Sequence, residues 1–168
     1  MARCLIVGCG CYGLELTRAL RSQGHAVRGT TRDAARTAEL QAAGAEPYVG
    51  DPGVVGTLAP ALAHVGVACI LLGSASGTEE QLAALHGTRL DMLLERMLDT
   101  TVRGVVYQAA GSVDPSLLSA GADRVRHACE RSLIPYELLS TDPAAGGWVA
   151  DAVVAIERAL LGRDQYAR

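Results

Sequence analysis

Three glycines within the first thirteen residues constrain this chain more than any other feature. Cys4-Leu5-Ile6-Val7 is an apolar run of strand length. Gly8-Cys9-Gly10-Cys11-Tyr12-Gly13 follows at once, and Leu14, Leu16, Ala19 and Leu20 then recur at helical spacing. A strand that feeds a helix through G-x-G-x-x-G is the turn by which parallel α/β sheets hold the pyrophosphate of a dinucleotide. Each glycine has its own role in such a turn. Gly8 makes the tight bend, Gly10 admits the pyrophosphate to the backbone, and Gly13 lets the helix pack closely on the strand. The N–H groups of the first helical turn, at Cys11 and Tyr12, together with the helix dipole, then meet the phosphate charge. The bland alternative is a structural turn without a ligand.

The end of the second strand bears on which dinucleotide fits. About 20 residues beyond the glycines, an Asp or Glu suits the ribose hydroxyls of NAD, and a basic residue suits the 2′-phosphate of NADP. The strand Ala26-Val27-Arg28-Gly29-Thr30 runs into Thr31-Arg32-Asp33, with no acid at the strand end itself. Arg32 carries a planar, permanent charge that matches a phosphate, and the hydroxyls of Thr30 and Thr31 stand beside it. NADP(H) is therefore expected over NAD(H). In the alternative reading Arg32 is solvated and Asp33 caps the next helix; the two readings are compatible.

Strand-like and helical patterns alternate down the rest of the chain. A helix is predicted from Asp33 to about Ala43, a strand over Ala45 to Val49, a helix to about His64 and a strand over Val67 to Leu72. A Gly/Ser-rich loop, Gly73 to Thr78, leads to a long helical region from Glu79 to Asp99 with a break near His86-Gly87. A strand over Val102 to Gln108, a helix ending near Arg131, a strand over Ile134 to Leu139 and a helix from about Gly147 to Leu161 follow, and the tail from Gly162 to Arg168 is expected to fray. Strands joined by helices imply right-handed parallel crossovers. The fold class is thus α/β, a single Rossmann domain over residues 1–168 with one doubly wound parallel sheet of six strands in the order 3-2-1-4-5-6.

Composition narrows the chemistry. All 15 basic residues are arginine, so lysine-dependent catalysis is excluded. The net charge of −3 and the scatter of the arginines give no footprint for nucleic acid. No apolar run reaches membrane-spanning length and no leader precedes the first strand, which predicts a cytoplasmic protein with no membrane partner. Five cysteines without a C-x-x-C pair read as reduced thiols, and no metal site is expected. Cys9 and Cys11, at the start of a helix, are candidates for a lowered thiol pKa, set against the plainer reading of small loop-filling residues.

The segment Gly8 to Gly13, taken with Gly24-His25-Ala26-Val27-Arg28-Gly29-Thr30-Thr31-Arg32, resembles the opening of extended and atypical short-chain dehydrogenases, the group that includes sugar-nucleotide epimerases and NmrA-like proteins. The resemblance implies that Asp51, in Val49-Gly50-Asp51, contacts the adenine, and that Gly73 and Ser74 lie where the fourth strand meets the cofactor. It extends through Gly87-Thr88-Arg89 and Val102 to Tyr107, but only the cofactor motifs are specific. Departures are as informative. The serine pair that usually follows the fifth strand is Ala109-Ala110 here, and the Tyr-x-x-x-Lys of the family is missing because there is no lysine. The chain also stops soon after its sixth strand, where sugar-binding members continue into a substrate lobe.

Three functions fit this pattern. One is an NADP(H)-dependent reductase of a small molecule, with polar candidates Ser74, Ser76, Thr78, Ser112 and Asp114 near the ends of strands four and five, and His86 and Arg89 beyond. His86 and Ser112 are the catalytic candidates, His86 because imidazole titrates near neutrality, against the plainer reading of a surface or satisfied histidine. The others are a non-catalytic sensor of the NADP(H) pool, and a non-redox isomerase or lyase on the same fold. Tyr107, inside a strand, reads as packing. The apolar stripe Trp148, Val149, Val153, Ile156, Leu160 and Leu161 serves either a homodimer interface or the face of the sheet.

Overall fold

A computed structural model describes residues 1–162, so from residue 163 on the expected frayed tail lies outside the described residues. The strands are β1 (Arg3–Val7), β2 (Ala26–Thr31), β3 (Glu46–Val49), β4 (Val67–Ile70), β5 (Val105–Gln108) and β6 (Tyr136–Leu139). The helices are α1 (Cys11–Ser22), α2 (Thr37–Ala43), α3 (Glu79–Leu85), α4 (Thr88–Met97), α5 (Pro115–Ser132) and α6 (Trp148–Leu161). All pairings are parallel and the order is β3-β2-β1-β4-β5-β6, as the alternation of patterns predicts. Chain direction across the sheet reverses between β1 and β4, which pair from Cys4 with Val67 to Val7 with Ile70. A crevice opens at the carboxyl ends of strands at such a switch point, and the glycine loop sits there.

The central strands are apolar without alternation because both faces of the sheet are covered. Cys4 and Ile6 pack with α1, Leu40 of α2 and α6, whereas Leu5 and Val7 pack on the other face with α4 and α5. Successive side chains point to opposite faces, so one short run anchors both cores. On the first face, α6 lies along α1 and over β4, β5 and β6. Trp148, Val153 and Ile156 are buried there, with Val149 and Leu160 packed against them, and only Leu161 of the stripe is exposed. The stripe therefore covers the sheet, the second of the two readings its spacing allows.

Two stretches differ most from the pattern reading, beside smaller shifts where Ala34–Arg36 forms a 3-10 turn ahead of α2, β4 ends at Ile70 and β6 begins at Tyr136. Between Asp51 and His64 the predicted helix is replaced by two 3-10 turns, Val55–Thr57 and Ala59–Leu62. Gly53, Gly56 and Pro60 interrupt this stretch, and the Thr57 hydroxyl bonds the carbonyls of Asp51 and Val54 in competition with a helical ladder. β5 begins at Val105 instead of Val102, because Arg103 and Gly104 make irregular bonds to Gly66 and Ala68 ahead of the ladder. The break near His86-Gly87 divides α3 from α4. α3 itself starts with a capping box, in which Thr78 and Gln81 satisfy one another's backbone N–H groups.

Candidate functional site

The glycine loop is held from below by the protein's own backbone and side chains. Gly8 has a φ of +84°, and a Cβ there would stand 2.6 Å from Leu72 Cδ2 and 2.7 Å from the Leu71 carbonyl, so only glycine fits. The Gly8 N–H donates to Thr30 Oγ1 at 3.0 Å and the Cys9 N–H to the Thr30 carbonyl at 3.1 Å. β2 thereby fixes the loop over the end of β1. At Gly10 the situation is reversed: a Cβ would meet no protein atom within 4 Å. The first bond of α1 runs from the Leu14 N–H to the Gly10 carbonyl, which leaves the N–H groups of Cys11, Tyr12 and Gly13 ahead of the helical ladder. The result is an anion cradle with room for a phosphate against the backbone.

A cavity of about 530 Å³ extends from this cradle, walled by Gly8 to Gly13, Thr30 to Asp33, Arg36, Leu71, Leu72, Ser74 to Ser76, Gln108 and Trp148, among others. It gathers most of the residues expected from the sequence. Arg32 is at the wall and makes no hydrogen bond or ion pair among the described residues. Asp33 accepts from the Ala35 N–H at 2.9 Å and opens a 3-10 turn, so the capping role and the free Arg32 coexist. Arg36, which the sequence pattern does not single out, joins Arg32 at the wall while bonding Glu39 at 3.0 Å. No periodic signal marks it, because Arg32 lies in the turn after β2 and Arg36 in the 3-10 turn that Asp33 caps, so the two share no helix face.

Five expected residues are placed differently. The Thr30 hydroxyl holds Gly8 and so braces the glycine loop, and that of Thr31 exchanges bonds with the backbone of Asp33 and so braces the turn after β2. The Asp51 carboxylate turns back to the Gly53 N–H at 2.8 Å, and its neighbours Gly50 and Pro52 line the cavity in its place. Gly73 stands behind the wall, its N–H bonded to Gln108 Oε1 at 2.9 Å. Gln108, which carries no motif in the sequence, ties the ends of β4 and β5 together at the far end of the cavity. Ser112 lies outside the lining, where its N–H meets Ser74 Oγ at 3.4 Å.

His86 is buried behind Leu72. One ring nitrogen, Nε2, lies 3.0 Å from the Leu72 carbonyl, and the other, Nδ1, lies 2.7 Å from the Tyr107 hydroxyl. A carbonyl only accepts, so Nε2 carries the proton and Nδ1 accepts from the tyrosine. Tyr107 is fully buried, and Gly121 of α5 packs so close to its hydroxyl that a Cβ there would overlap it. The pair is a structural strut between β4, β5 and the α3–α4 junction. Burial lowers the His86 pKa from its ordinary 6.5, partly offset by the Leu72 bond, and burial raises that of Tyr107.

A pH dependence follows with a definite sign. Below about 6.5 the unfolded chain takes up a proton that folded His86 resists, so the strut stabilises the fold above that pH and loses its contribution as pH falls through the folded-state value. Thermal melts between neutral and mildly acid pH are expected to show a steeper loss of stability in the wild type than in His86→Asn. Equal slopes would remove His86 as the cause. Tyr107→Phe, which leaves Nδ1 without its donor, is expected to cost about 1–3 kcal/mol in denaturant unfolding.

The thiols divide cleanly. Cys4, Cys9, Cys69 and Cys129 are buried and Cys11 alone is exposed, with no disulfide among them. Burial pushes Cys4 and Cys129 up to about 12 and raises Cys9 and Cys69 as well. The activation considered for Cys9 is therefore reversed: desolvation outweighs the Thr17 hydrogen bond. Among the described residues no helix is long and apolar enough to cross a membrane, and no cluster of metal-ligand side chains occurs.

A larger depression of about 750 Å³ lies between α4 and α5. The Asp91–Arg124 ion pair spans those two helices, and no helix N-terminus opens into it. The glycine cradle opens into the smaller cavity.

The model of a family described as NAD(P)H-binding matches residues 8–136. No curated protein matches the chain. Among solved structures, similarity extends to a putative NAD-dependent epimerase/dehydratase from Bacillus halodurans, with 19% identity, a TM-score of 0.67, and coverage of 85% of this chain and 71% of that one. A short-chain dehydrogenase/reductase superfamily protein from Agrobacterium tumefaciens with bound NAD has 20% identity and a TM-score of 0.66 over 81% of this chain and 48% of that one. The Citrobacter sp. triphenylmethane reductase complexed with NADP(H) has 21% identity and a TM-score of 0.61 over 82% of this chain and 49% of that one. Identities this low speak for the shared fold alone. The chain spans about half the length of the last two proteins.

Proposed function

The chain belongs to the NAD(P)H-binding family, and from that premise we propose that it binds NADP(H) in preference to NAD(H) and serves as a reductase of a small molecule. The observation that carries the preference is Arg32, a guanidinium at the cavity wall without a partner among the described residues, with Arg36 beside it. The cradle at Cys11, Tyr12 and Gly13 holds the pyrophosphate, and Gly10 leaves room for it. Leu72, Ser74, Ser76 and Gln108, which close the cavity at the ends of β4 and β5, would hold the nicotinamide end. NADPH, when bound, supplies the hydride, and the protein orients it. Ser74 and Ser76 are exposed hydroxyls that orient a substrate oxygen, and water delivers the proton that accompanies the hydride. Five unpaired thiols fit a reducing, cytoplasmic setting.

A second reading, a non-catalytic sensor of the NADP(H) pool, is favoured by one observation. His86 and Tyr107, the groups best suited to donate a proton, are buried with their polar atoms engaged to one another. Calorimetric titration with NADPH and NADH side by side tests the shared premise. Micromolar binding with an NADPH preference is expected, and no binding to either would refute it. Turnover of bound NADPH across a panel of carbonyl and quinone acceptors then separates reductase from sensor.

Cys11 offers an independent check. As the one exposed thiol, set in the cradle itself, it is expected to react with a maleimide in the free protein and to be protected by saturating NADPH. Peptide mapping that found equal labelling with and without NADPH would place the nucleotide elsewhere.

A further inference from the structure

Gln108 is a polar side chain set into the wall of the dinucleotide cavity at the carboxyl end of β5, with only 3% of its surface exposed. Its Oε1 accepts from the Gly73 N–H at 2.9 Å, which identifies the other amide atom as Nε2, since a donor faces only an acceptor. Nε2 makes no hydrogen bond among the described residues. The side-chain atoms among them that are both sealed from solvent and unpartnered are Arg28 Nε and Trp148 Nε1. Gln108 Nε2 therefore keeps an opening, and the cavity that Gln108 lines is the space it opens to.

The amide is held in this orientation from behind. A Cβ on Gly73 would stand 2.8 Å from Gln108 Cδ and 2.8 Å from the Ala110 carbonyl, so the side chain lies directly against the glycine backbone. The Gly73 carbonyl in turn accepts from the Val113 N–H at 3.0 Å, which fastens the loop after β5 onto the same residue. Turning the amide over would set its NH2 against the Gly73 N–H, two donors facing each other, and leave that buried N–H unsatisfied. The tie to Gly73 uses the oxygen alone. Nε2 is left as a fixed donor that the framework does not consume.

The sheet order places β2, β1, β4 and β5 side by side, so Arg32 after β2 and Gln108 at the end of β5 stand at opposite ends of the crevice, about 14 Å apart across the sheet. The cradle over β1 lies between them. A dinucleotide with its pyrophosphate at the cradle and its 2′-phosphate at Arg32 would extend its nicotinamide toward Gln108. An uncharged donor sheltered from water matches an uncharged carbonyl oxygen, whereas the phosphates have the arginine and the helix N-terminus. We propose that Gln108 is a positioning residue that donates an Nε2 hydrogen to the carboxamide oxygen of the nicotinamide and so fixes the rotation of that ring in the cavity. This inference rests on the NADP(H) reading of the cavity and assigns a residue of β5 that the glycine motif does not reach.

Gln108→Glu keeps the oxygen that Gly73 uses and removes the donor, so it separates the two roles of the side chain. At mildly alkaline pH, where the new carboxyl is ionised, calorimetric titration of this variant is expected to show NADPH affinity lowered about tenfold or more. Its affinity for 2′-phospho-ADP-ribose, which lacks the nicotinamide, should change less than about twofold. In the wild type, the Gln108 side-chain NH2 pair in a ¹H–¹⁵N spectrum, assigned by its disappearance in Gln108→Glu, should move with NADPH and stay in place with 2′-phospho-ADP-ribose. The thionicotinamide analogue of NADPH, whose sulfur accepts hydrogen bonds poorly, should bind the wild type several-fold more weakly than NADPH, a comparison that holds whether or not the variant folds. Normal NADPH affinity in Gln108→Glu would overturn the assignment, as would an NH2 pair that stays still when NADPH binds, or equal wild-type affinity for NADPH and its thio analogue. Equal losses of both ligands in the variant would overturn it too, by marking a purely structural tie. In each of these cases the cofactor reading stands. Wild-type protein that binds neither NADPH nor 2′-phospho-ADP-ribose would instead remove the cofactor reading, and this inference with it.

Discussion

Gly10→Ala is expected to weaken NADPH binding by about a hundredfold or more, equivalent to ~3 kcal/mol, without lowering the stability of the free protein. Gly10 has φ −83° and ψ −158°, an extended conformation that alanine adopts freely. Its Cβ would meet nothing within 4 Å, so the fold loses no contact and gains no clash. Restricting the unfolded chain acts on the favourable side: a compatible Gly→Ala change stabilises by about 0.4–1 kcal/mol. The methyl instead enters the space through which a phosphate approaches the backbone. Gly8→Ala is the contrasting variant. Its positive φ costs about 1–3 kcal/mol in a non-glycine residue. Contact with Leu72 and the Leu71 carbonyl adds an overpacking cost of about 1–3 kcal/mol. Melting curves with paired NADPH titrations check both. A Gly10→Ala protein that binds NADPH normally would show that the loop carries no ligand, whereas equal destabilisation of the two variants would contradict the geometry around Gly10.

Arg32→Ala is expected to lower NADPH affinity about tenfold to a hundredfold and to change NADH affinity less than about twofold, as expected for a charge-assisted contact to the 2′-phosphate alone. The guanidinium has no partner to lose in the free protein, so its removal should not disturb the fold. Arg36→Ala should have the smaller effect, because that side chain is already shared with Glu39. Raising the salt concentration should erode the NADPH preference, since both arginines stand at the solvent edge. Equal losses of NADPH and NADH in Arg32→Ala would remove the 2′-phosphate assignment. The titration that decides this also reports whether the pair acts together: a double variant that loses no more than Arg32→Ala would take Arg36 out of the site.

The parts of this protein that are legible in its sequence are those governed by local pattern. The apolar run ending at Val7, the three glycines and the helical spacing after them suffice for the first βα unit, and the repetition of that alternation leads to the sheet order. Arg32 can be picked out because it sits at a fixed distance along one strand from the loop. The Asp51–His64 segment misleads because its apolar spacing outweighs Gly53, Gly56 and Pro60, which stop a helix from propagating.

Tertiary structure decided the rest, for a reason that sequence spacing cannot express. Whether a polar group is free depends on what the folded chain brings against it. Thr30 and Asp51 had suitable chemistry for a ligand, but the backbone N–H groups of Gly8 and Gly53 claimed their oxygens. His86 had a suitable pKa, but Tyr107 and Leu72, distant in the chain, closed around both ring nitrogens. Trp148 read as one more residue of an apolar stripe until α6 packed along α1 and set its ring beside Tyr12. The local sequence determined the cradle, because a turn is made by neighbours; the fold determined which side chains remain available to fill it, because burial and hydrogen-bond partners come from residues far apart in the chain.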